Sequence, residues 1–251
     1  MKRSRAKLDK FLVKRWCRVR KKAKSHGRDR MPALPYEEPG SALVVIGLNY
    51  SDSKEVNPSE IPSKLSVKAA RGYMDAVCAA REMKCIDGIG PVSCYFTYYG
   101  IWLYCEAHLK KCLGAEPTFW DLYPVFEGKP GTRSFKPDRE VTREVFKFLK
   151  KRKRTQIIVL NGWYPEKQSG RIGREGSRFF KPNNARTEEL REQLPNICGV
   201  APHYRPPFVT KSGFVCLPTY HSSGYPQGIR FGSLCETLEA CVAFAKKNGK
   251  R

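Results

Sequence analysis

Three short apolar segments rich in β-branched residues constrain the fold of this chain most. They are ALVVIGL at residues 42–48, TQIIVLNG at 155–162 and FVCLPTY at 214–220. Each is short and bounded by turn-forming residues, which is typical of a strand buried on both faces. Helical patterns alternate with these strands at residues 63–84, 138–152 and 233–247. Alternating buried strands and helices predict an α/β, three-layer domain with a short, largely parallel central sheet flanked by helices.

Other segments add detail to this α/β prediction. The segment PTFWDLYPVF at residues 117–126 is a further strand candidate, and the aromatic stretch 94–105 is ambiguous between strand and helix. The helix at 138–152 is the clearest, because Asp138 can cap its start and its cations lie late.

The N-terminal residues 1–30 carry 14 Lys and Arg against Asp9 and Asp29. Apolar residues recur at helical spacing, so the segment is predicted to be a basic amphipathic helix. Three interpretations remain open: a nucleic-acid-binding arm, an organelle-targeting segment, or a solvated helix packed on the domain. Residues 31–41 contain three prolines and predict a linker, which leaves residues 42–251 as the α/β domain.

The charge of the whole chain is unusual for a globular protein. It has 47 Lys and Arg against 24 Asp and Glu, a net charge of +23. Such a field favours polyanions, namely DNA, RNA or an anionic membrane surface. No run of 18 apolar residues predicts a transmembrane helix. DNA is the expected partner, RNA is a further one, and a monomer without membrane contact is expected.

Ten cysteines occur, and none forms a C-x-x-C pair. The chain is long enough to fold without disulfides, so we expect reduced, mostly buried thiols in an intracellular protein. The charge favours a nucleus or a nucleoid, and the basic N-terminal segment leaves organelle targeting open. No spacing predicts a metal site.

In a parallel sheet the ligand binds beyond the carboxyl ends of the strands. The first such end is GLNYSDSK at residues 47–54. Gly47 permits a tight turn, Asn49 can orient a water, Tyr50 can line a flat pocket and Asp52 is a nearby base. The alternative is a loop whose polar residues cap a helix.

The stretch TYHSSGYPQGIRFG, residues 219–232, follows a late strand. His221 can donate a hydrogen bond to charge that develops on a leaving group. Ser222 and Ser223 can bind a phosphate, and Arg230 can contact a nucleic-acid backbone. The alternative is a turn histidine in a very basic protein.

Two further segments carry candidate ligand contacts. Asp121 stands among apolar residues, so it either reads a ligand edge or is a buried acid with a partner. Residues 160–186 look like a glycine-rich basic loop suited to phosphate contact and base stacking, or else a solvated loop. Its relevant residues are Arg171, Arg174, Arg178, Phe179 and Phe180.

The order of these segments resembles the uracil-DNA glycosylase superfamily, and most closely its single-strand-selective monofunctional branch. The resemblance rests on GLNYSDSK, DLYP at 121–124, IIVLNG and HSSGYPQG at 221–228, and it covers roughly residues 42–247. It implies hydrolysis of the N-glycosidic bond of a flipped-out uracil or other modified base. No metal or cofactor is needed for that reaction.

The resemblance also implies a role for each candidate residue. Asn49 would position water, with Asp52, and His221 would stabilise the leaving base. The base would stack on an aromatic residue and contact Asp121, while a wedge loop inserts into DNA. The stacking candidates are Tyr50, Phe96 and Tyr98, and the wedge residues are Gly224, Tyr225 and Gln227.

Three residues depart from the family pattern. Tyr50 and Ser222 stand where the motifs have proline, and Asp121 stands where the family has the asparagine that reads uracil. An ionised carboxylate only accepts hydrogen bonds, whereas an amide also donates. These departures leave two functions open: a glycosylase for uracil or another base, and a non-catalytic nucleic-acid-binding protein that retains the fold.

Overall fold

The computed structural model describes residues 2–22, 34–35, 41–47, 64–72, 118–122, 126–127, 136–152, 156–195, 205–219 and 229–248. Its helices are α1 (Lys2–Lys22), α2 (Arg139–Lys151), α3 (Ser169–Phe179), α4 (Asn184–Arg191) and α5 (Ile229–Asn248). Its strands are β1 (Leu43–Gly47), β2 (Thr118–Asp121), β3 (Phe126–Glu127), β4 (Lys136–Pro137), β5 (Ile157–Asn161), β6 (Phe208–Val209) and β7 (Val215–Thr219). Residues 67–72 are also helical.

The central sheet has the strand order β2-β1-β5-β7-β6. Strands β2, β1, β5 and β7 are parallel to their neighbours, and β6 adds an antiparallel edge. The three apolar segments of the sequence form β1, β5 and β7, and all residues of these strands are buried. The prediction of an α/β fold with a largely parallel sheet is therefore confirmed.

Side chains alternate between two cores on opposite faces of this sheet. Val44, Ile46 and Ile158 belong to the first core, whereas Leu43 and Val45 belong to the second. Apolar residues of α1, α2 and α3 fill the first core, and those of α4 and α5 fill the second. We call α1, α2 and α3 the first helical layer, and α4 and α5 the second helical layer.

The basic helix α1 packs on the domain, as one of the three interpretations expected. Leu8, Leu12 and Trp16 are buried in the first core. The buried carboxylate of Asp9 accepts hydrogen bonds from Arg71, one of them at 2.8 Å. Leu34, inside the predicted linker, is also buried in the first core. Residues on both sides of the predicted linker thus share one core.

The start of α2 follows the sequence prediction. The side chain of Asp138 caps the helix by accepting hydrogen bonds from the backbone amides of Glu140 and Val141. Asp138 also pairs with Arg15 of α1, which lies 3.5 Å from Glu140 as well. One carboxylate therefore begins α2 and attaches α1 to it.

The helix α3 corrects the sequence analysis, which expected a loop at residues 160–186. Ile172 and Phe179 are buried and anchor α3 on the first core. Gly173 interrupts the helical path with φ 64° and ψ −174°, a conformation that favours glycine. At Gly176 an added Cβ would come within 2.8 Å of the Phe146 ring, so the missing side chain lets α3 approach α2 closely.

Candidate functional site at the carboxyl edge of the sheet

The four parallel strands end at the same edge of the sheet. Asp121 of β2 is level with Gly47 of β1, and Asn161 of β5 is level with Thr219 of β7. Ile46 is level with Leu160, which joins the two pairs into one row. At a strand spacing of about 4.8 Å, this row spans about 14 Å. Gly47 and Thr219, the last residues of β1 and β7, are therefore about 10 Å apart in this row.

Gly47 itself lies inside the sheet, in the β1 ladder. Its carbonyl accepts a hydrogen bond of 2.8 Å from the amide of Leu122. The residues after Gly47 lie outside the described ranges, so the tight turn expected there stays a prediction. A turn is found after β5, where Gly162 has φ 78°. The Gly162 amide donates to the Thr219 carbonyl at 3.0 Å, so this turn ties the ends of β5 and β7 together.

Trp163, two residues after β5, packs beneath the carboxyl edge of the sheet. The sequence analysis did not identify this residue. Its indole Nε1 donates a 2.8 Å hydrogen bond to the Ile46 carbonyl, and the residue is buried. The Phe180 ring meets it edge-on, with centroids 5.5 Å apart. The position of Trp163 directly after the Asn161-Gly162 turn, as a large aromatic residue, is the sequence feature that could have predicted its place at this edge.

A cleft of about 500 Å³ opens beside this edge, between the turn after β5 and helices α3 and α4. Tyr164 lines it only three residues beyond the end of β5. The volume of this cleft lies in the range typical of small-molecule binding sites. The remaining lining mixes aromatic, acidic and basic residues, including Glu166, Phe180, Lys181, Glu188, Arg191 and Phe208.

The surroundings of Tyr164 raise its pKa overall, which disfavours the phenolate. Burial and the charge of Glu166 raise the pKa of Tyr164, while Arg205 and Arg191 act to lower it. The guanidinium of Arg205 lies 5.7 Å from the Tyr164 ring centroid. Tyr164 is therefore a neutral hydrogen-bonding group at neutral pH, which suits recognition of a polar ligand.

The three arginines predicted to bind DNA are exposed on α3. Arg171, Arg174 and Arg178 follow a spacing of three and four residues. Within the residues that the structure describes, no carboxylate forms an ion pair with any of them, and their charges remain available to phosphates. Phe179 and Phe180 are buried, so the expectation that they stack on bases is wrong.

Most of the other candidate residues lie outside the described ranges, and their roles remain predictions. These residues are Asn49, Tyr50, Asp52, Phe96, Tyr98, His221, Ser222, Ser223, Gly224, Tyr225 and Gln227. Two more are described through their backbone alone. Asp121 ends β2 beside Gly47, and Arg230 lies in the first turn of α5.

The two helical layers differ in charge. In the first layer, α1 has 11 Lys and Arg against Asp9, α2 has five against two Glu, and α3 has three against one Glu. The first layer thus carries 19 cations and four acids. In the second layer, α4 has two cations and two acids and α5 has three and two, which makes five against four.

Three cysteines are described, and all three are free thiols. Cys216 and Cys241 are buried, and burial raises the pKa of Cys241 to about 12. Among the described residues, no group of three or more His, Cys, Asp or Glu could hold a metal ion. Nor does that part of the chain contain a helix long and apolar enough to cross a bilayer.

Models of known protein families give no match to this chain, and neither do the sequences of curated proteins. Evidence about function therefore comes from the residues of the chain, the ends of its strands and its distribution of charge.

Proposed function

We propose that the chain is a DNA-binding, glycosylase-like protein that hydrolyses the N-glycosidic bond of a flipped-out uracil or other modified base. The reaction would take place at the carboxyl edge of the sheet. The first helical layer and α3 in particular would supply cations for the DNA backbone.

The observation that carries the proposal is the row formed by Asp121, Gly47, Asn161 and Thr219 at one edge. Asn49 follows Gly47 by two residues, and His221 follows Thr219 by two residues. Strands β1 and β7 are separated by one strand, which corresponds to about 10 Å. A water-positioning amide and a leaving-group donor held at about this spacing would be able to act on one sugar–base bond.

Charge supports DNA as the substrate. Exposed Arg171 lies in the first turn of α3, which begins eight residues after β5 ends at the carboxyl edge. Phosphate contacts of this kind position a nucleic acid without reading its sequence. The three-layer fold is also the one that the resemblance to the glycosylase superfamily implies, although a fold alone does not define an activity.

The direct test is release of a base. The purified protein is incubated with single- and double-stranded oligonucleotides that carry uracil or another modified base, and abasic sites are revealed with alkali. We expect His221→Ala to lower the rate about 10²–10³-fold, which is typical for loss of one donor to a developing negative charge. Asn49→Ala should also lose activity. Gln193→Ala, at an exposed position just after α4, serves as the matched control and should keep it.

The second function left open is a non-catalytic nucleic-acid-binding protein. Asp121 at the end of β2 and Ser222 in the second motif favour it, because both replace residues of the family pattern. Tight, salt-sensitive binding without abasic sites for any base would establish this alternative and refute base removal. Base release that is unchanged in His221→Ala would refute the role of His221 alone.

A further inference from the structure

The exposed side of α1 carries a straight row of cations. Lys7, Lys10, Lys14 and Arg18 are all exposed and are separated by three or four residues, so they lie along one side of the helix. With a rise of 1.5 Å per residue, neighbours are about 4.5–6 Å apart along the axis and the row is about 16 Å long.

This row is held in place by the opposite side of α1. Leu8, Leu12 and Trp16 are buried in the first core. Arg71 pairs with Asp9, and Arg15 pairs with Asp138, so one ion pair attaches each half of the helix to the domain. The cations are therefore presented by a fixed surface, and a ligand does not have to order the helix first.

The charges of the row are not neutralised within the described part of the chain. No carboxylate there forms an ion pair with Lys7, Lys10, Lys14 or Arg18. The acids next to α1 are engaged elsewhere, since Asp9 pairs with Arg71 and both Asp138 and Glu140 pair with Arg15. On α2, by contrast, Glu144 lies 2.8 Å from Lys147 and 3.6 Å from Arg143.

We infer that this row binds the phosphate backbone of a nucleic acid, as a contact separate from the carboxyl edge. A nucleic-acid strand offers a regular line of phosphates, about 3.4 Å apart along the duplex axis. A row about 16 Å long can face four or five of them. The inference extends the proposed function, because it adds a second contact to the same polymer.

The buried side of α1 decides against an anionic membrane. An amphipathic helix binds a bilayer by inserting its apolar face into the headgroup region. In this structure Leu12 and Trp16 are buried in the protein core, so that face is already occupied. The exposed side offers cations, and a nucleic-acid backbone needs only cations.

The test compares two variants with the same change of charge. In the first, Lys7, Lys10, Lys14 and Arg18 are replaced by Gln, which keeps helix propensity. In the control, Arg186, Lys246 and Lys247 of the second layer and exposed Lys211 of the turn after β6 are replaced by Gln. Binding of a fluorescent 20-base-pair DNA duplex is measured by anisotropy between about 50 and 300 mM salt, and the folds are compared by circular dichroism.

The slope of log K against log[salt] is negative. In the first variant its magnitude should fall by about 3–4, since each phosphate contact contributes about 0.9. The control should leave the slope within about one of the original protein. Equal losses in both variants would mean that diffuse charge drives binding, and no loss in the first would mean that the row is not a contact. Either result overturns the inference.

Two further arms keep the result interpretable. If the fourfold variant loses helix signal, the pair Lys10→Gln and Lys14→Gln replaces it, with an expected slope change of about 2. Vesicles of phosphatidylcholine and phosphatidylserine test the membrane alternative, and binding to them as tight as to the duplex would overturn the inference. The slope is measured without base removal, so a missing glycosylase activity does not change this outcome.

Discussion

The two helical layers cover the same sheet, but their outer surfaces differ. Each layer packs apolar side chains against one face of the sheet, Leu12 and Phe146 on the first face and Leu190 and Phe244 on the second. The first layer nevertheless carries 19 cations against four acids, whereas the second carries five against four. Folding requires only the buried sides to be apolar, so packing alone does not account for the charge imbalance on the first layer.

Ion pairing sharpens the difference between the layers. On α4, Arg186 pairs with Glu189 at 2.7 Å and Arg191 pairs with Glu188 at 2.9 Å, so both cations of that helix have local partners. On α3, Arg171, Arg174 and Arg178 have no such partner among the described residues. Exposed pairs of this type contribute little to stability. They do reduce the field that reaches a polyanion.

The strongest test of the comparison asks whether the basic helix is part of the core. Leu12 and Leu190 are both completely buried, one in each layer. Replacing either by Ala should lower the free energy of unfolding by about 2–5 kcal/mol, as for other buried leucines. Chemical denaturation monitored by fluorescence measures both. A Leu12→Ala protein as stable as the original would mean that α1 is an appended arm and not half of a layer.

The close approach of α3 to α2 gives the next largest effect. In Gly176→Ala the new Cβ would lie 2.6 Å from the Ile172 Cβ and 2.8 Å from the Phe146 ring, and overpacking of this kind costs about 1–3 kcal/mol. Gly170→Ala is the matched control, because nothing lies within 4 Å of its added Cβ. It should be neutral or slightly stabilising. Thermal unfolding curves that do not separate the two variants would contradict the packing described for α3.

Asp138 joins α2 to α1, and its two functions can be separated. Asp138→Ala removes both the helix cap and the partner of Arg15, so it should destabilise the protein by about 0.5–2 kcal/mol from the cap alone. Asp138→Asn keeps a capping oxygen and loses only the charge, so its effect should be smaller. Urea denaturation of the two variants measures this difference. Equal losses would show that the cap contributes nothing.

The buried thiol of Cys241 allows the packing of the second layer to be tested by chemical labelling, without any substitution. With a pKa of about 12, only about one molecule in ten thousand is a thiolate at pH 8. We expect iodoacetamide to leave Cys241 unmodified in the folded protein, with reactivity that rises with pH, and to modify it after denaturation. Peptide mass spectrometry measures each site. Rapid modification of Cys241 in the folded protein at pH 8 would contradict the packing of α5.

The sheet could be predicted because its strands are apolar along their whole length. β1, β5 and β7 are buried on both faces, and that environment leaves a continuous run of apolar residues in the sequence. The cap at Asp138 was equally local, since it depends on neighbouring residues alone. The carboxyl edge followed from these strands by topology.

Other features depend on partners that the sequence does not reveal. Asp9 pairs with Arg71 over 62 positions and Arg15 with Asp138 over 123 positions, so the packing of α1 could not be derived from its helical period. The glycines of α3 oppose helix formation, and burial of Ile172 and Phe179 overrides them. Phe179 and Phe180 lie among arginines in the sequence, which suggested base stacking. Only the structure shows that both rings are buried in the first core.

Lysine footprinting tests most directly the claim that the first helical layer faces nucleic acid. The protein is treated with an amine-reactive ester with and without a saturating DNA duplex, and the modified lysines are quantified by mass spectrometry. If the first helical layer binds DNA, Lys7, Lys10 and Lys14 of α1 should become protected, whereas Lys246 and Lys247 of α5 should keep their reactivity. All five are exposed in the structure. Protection confined to Lys246 and Lys247, or equal in both layers, would contradict this claim.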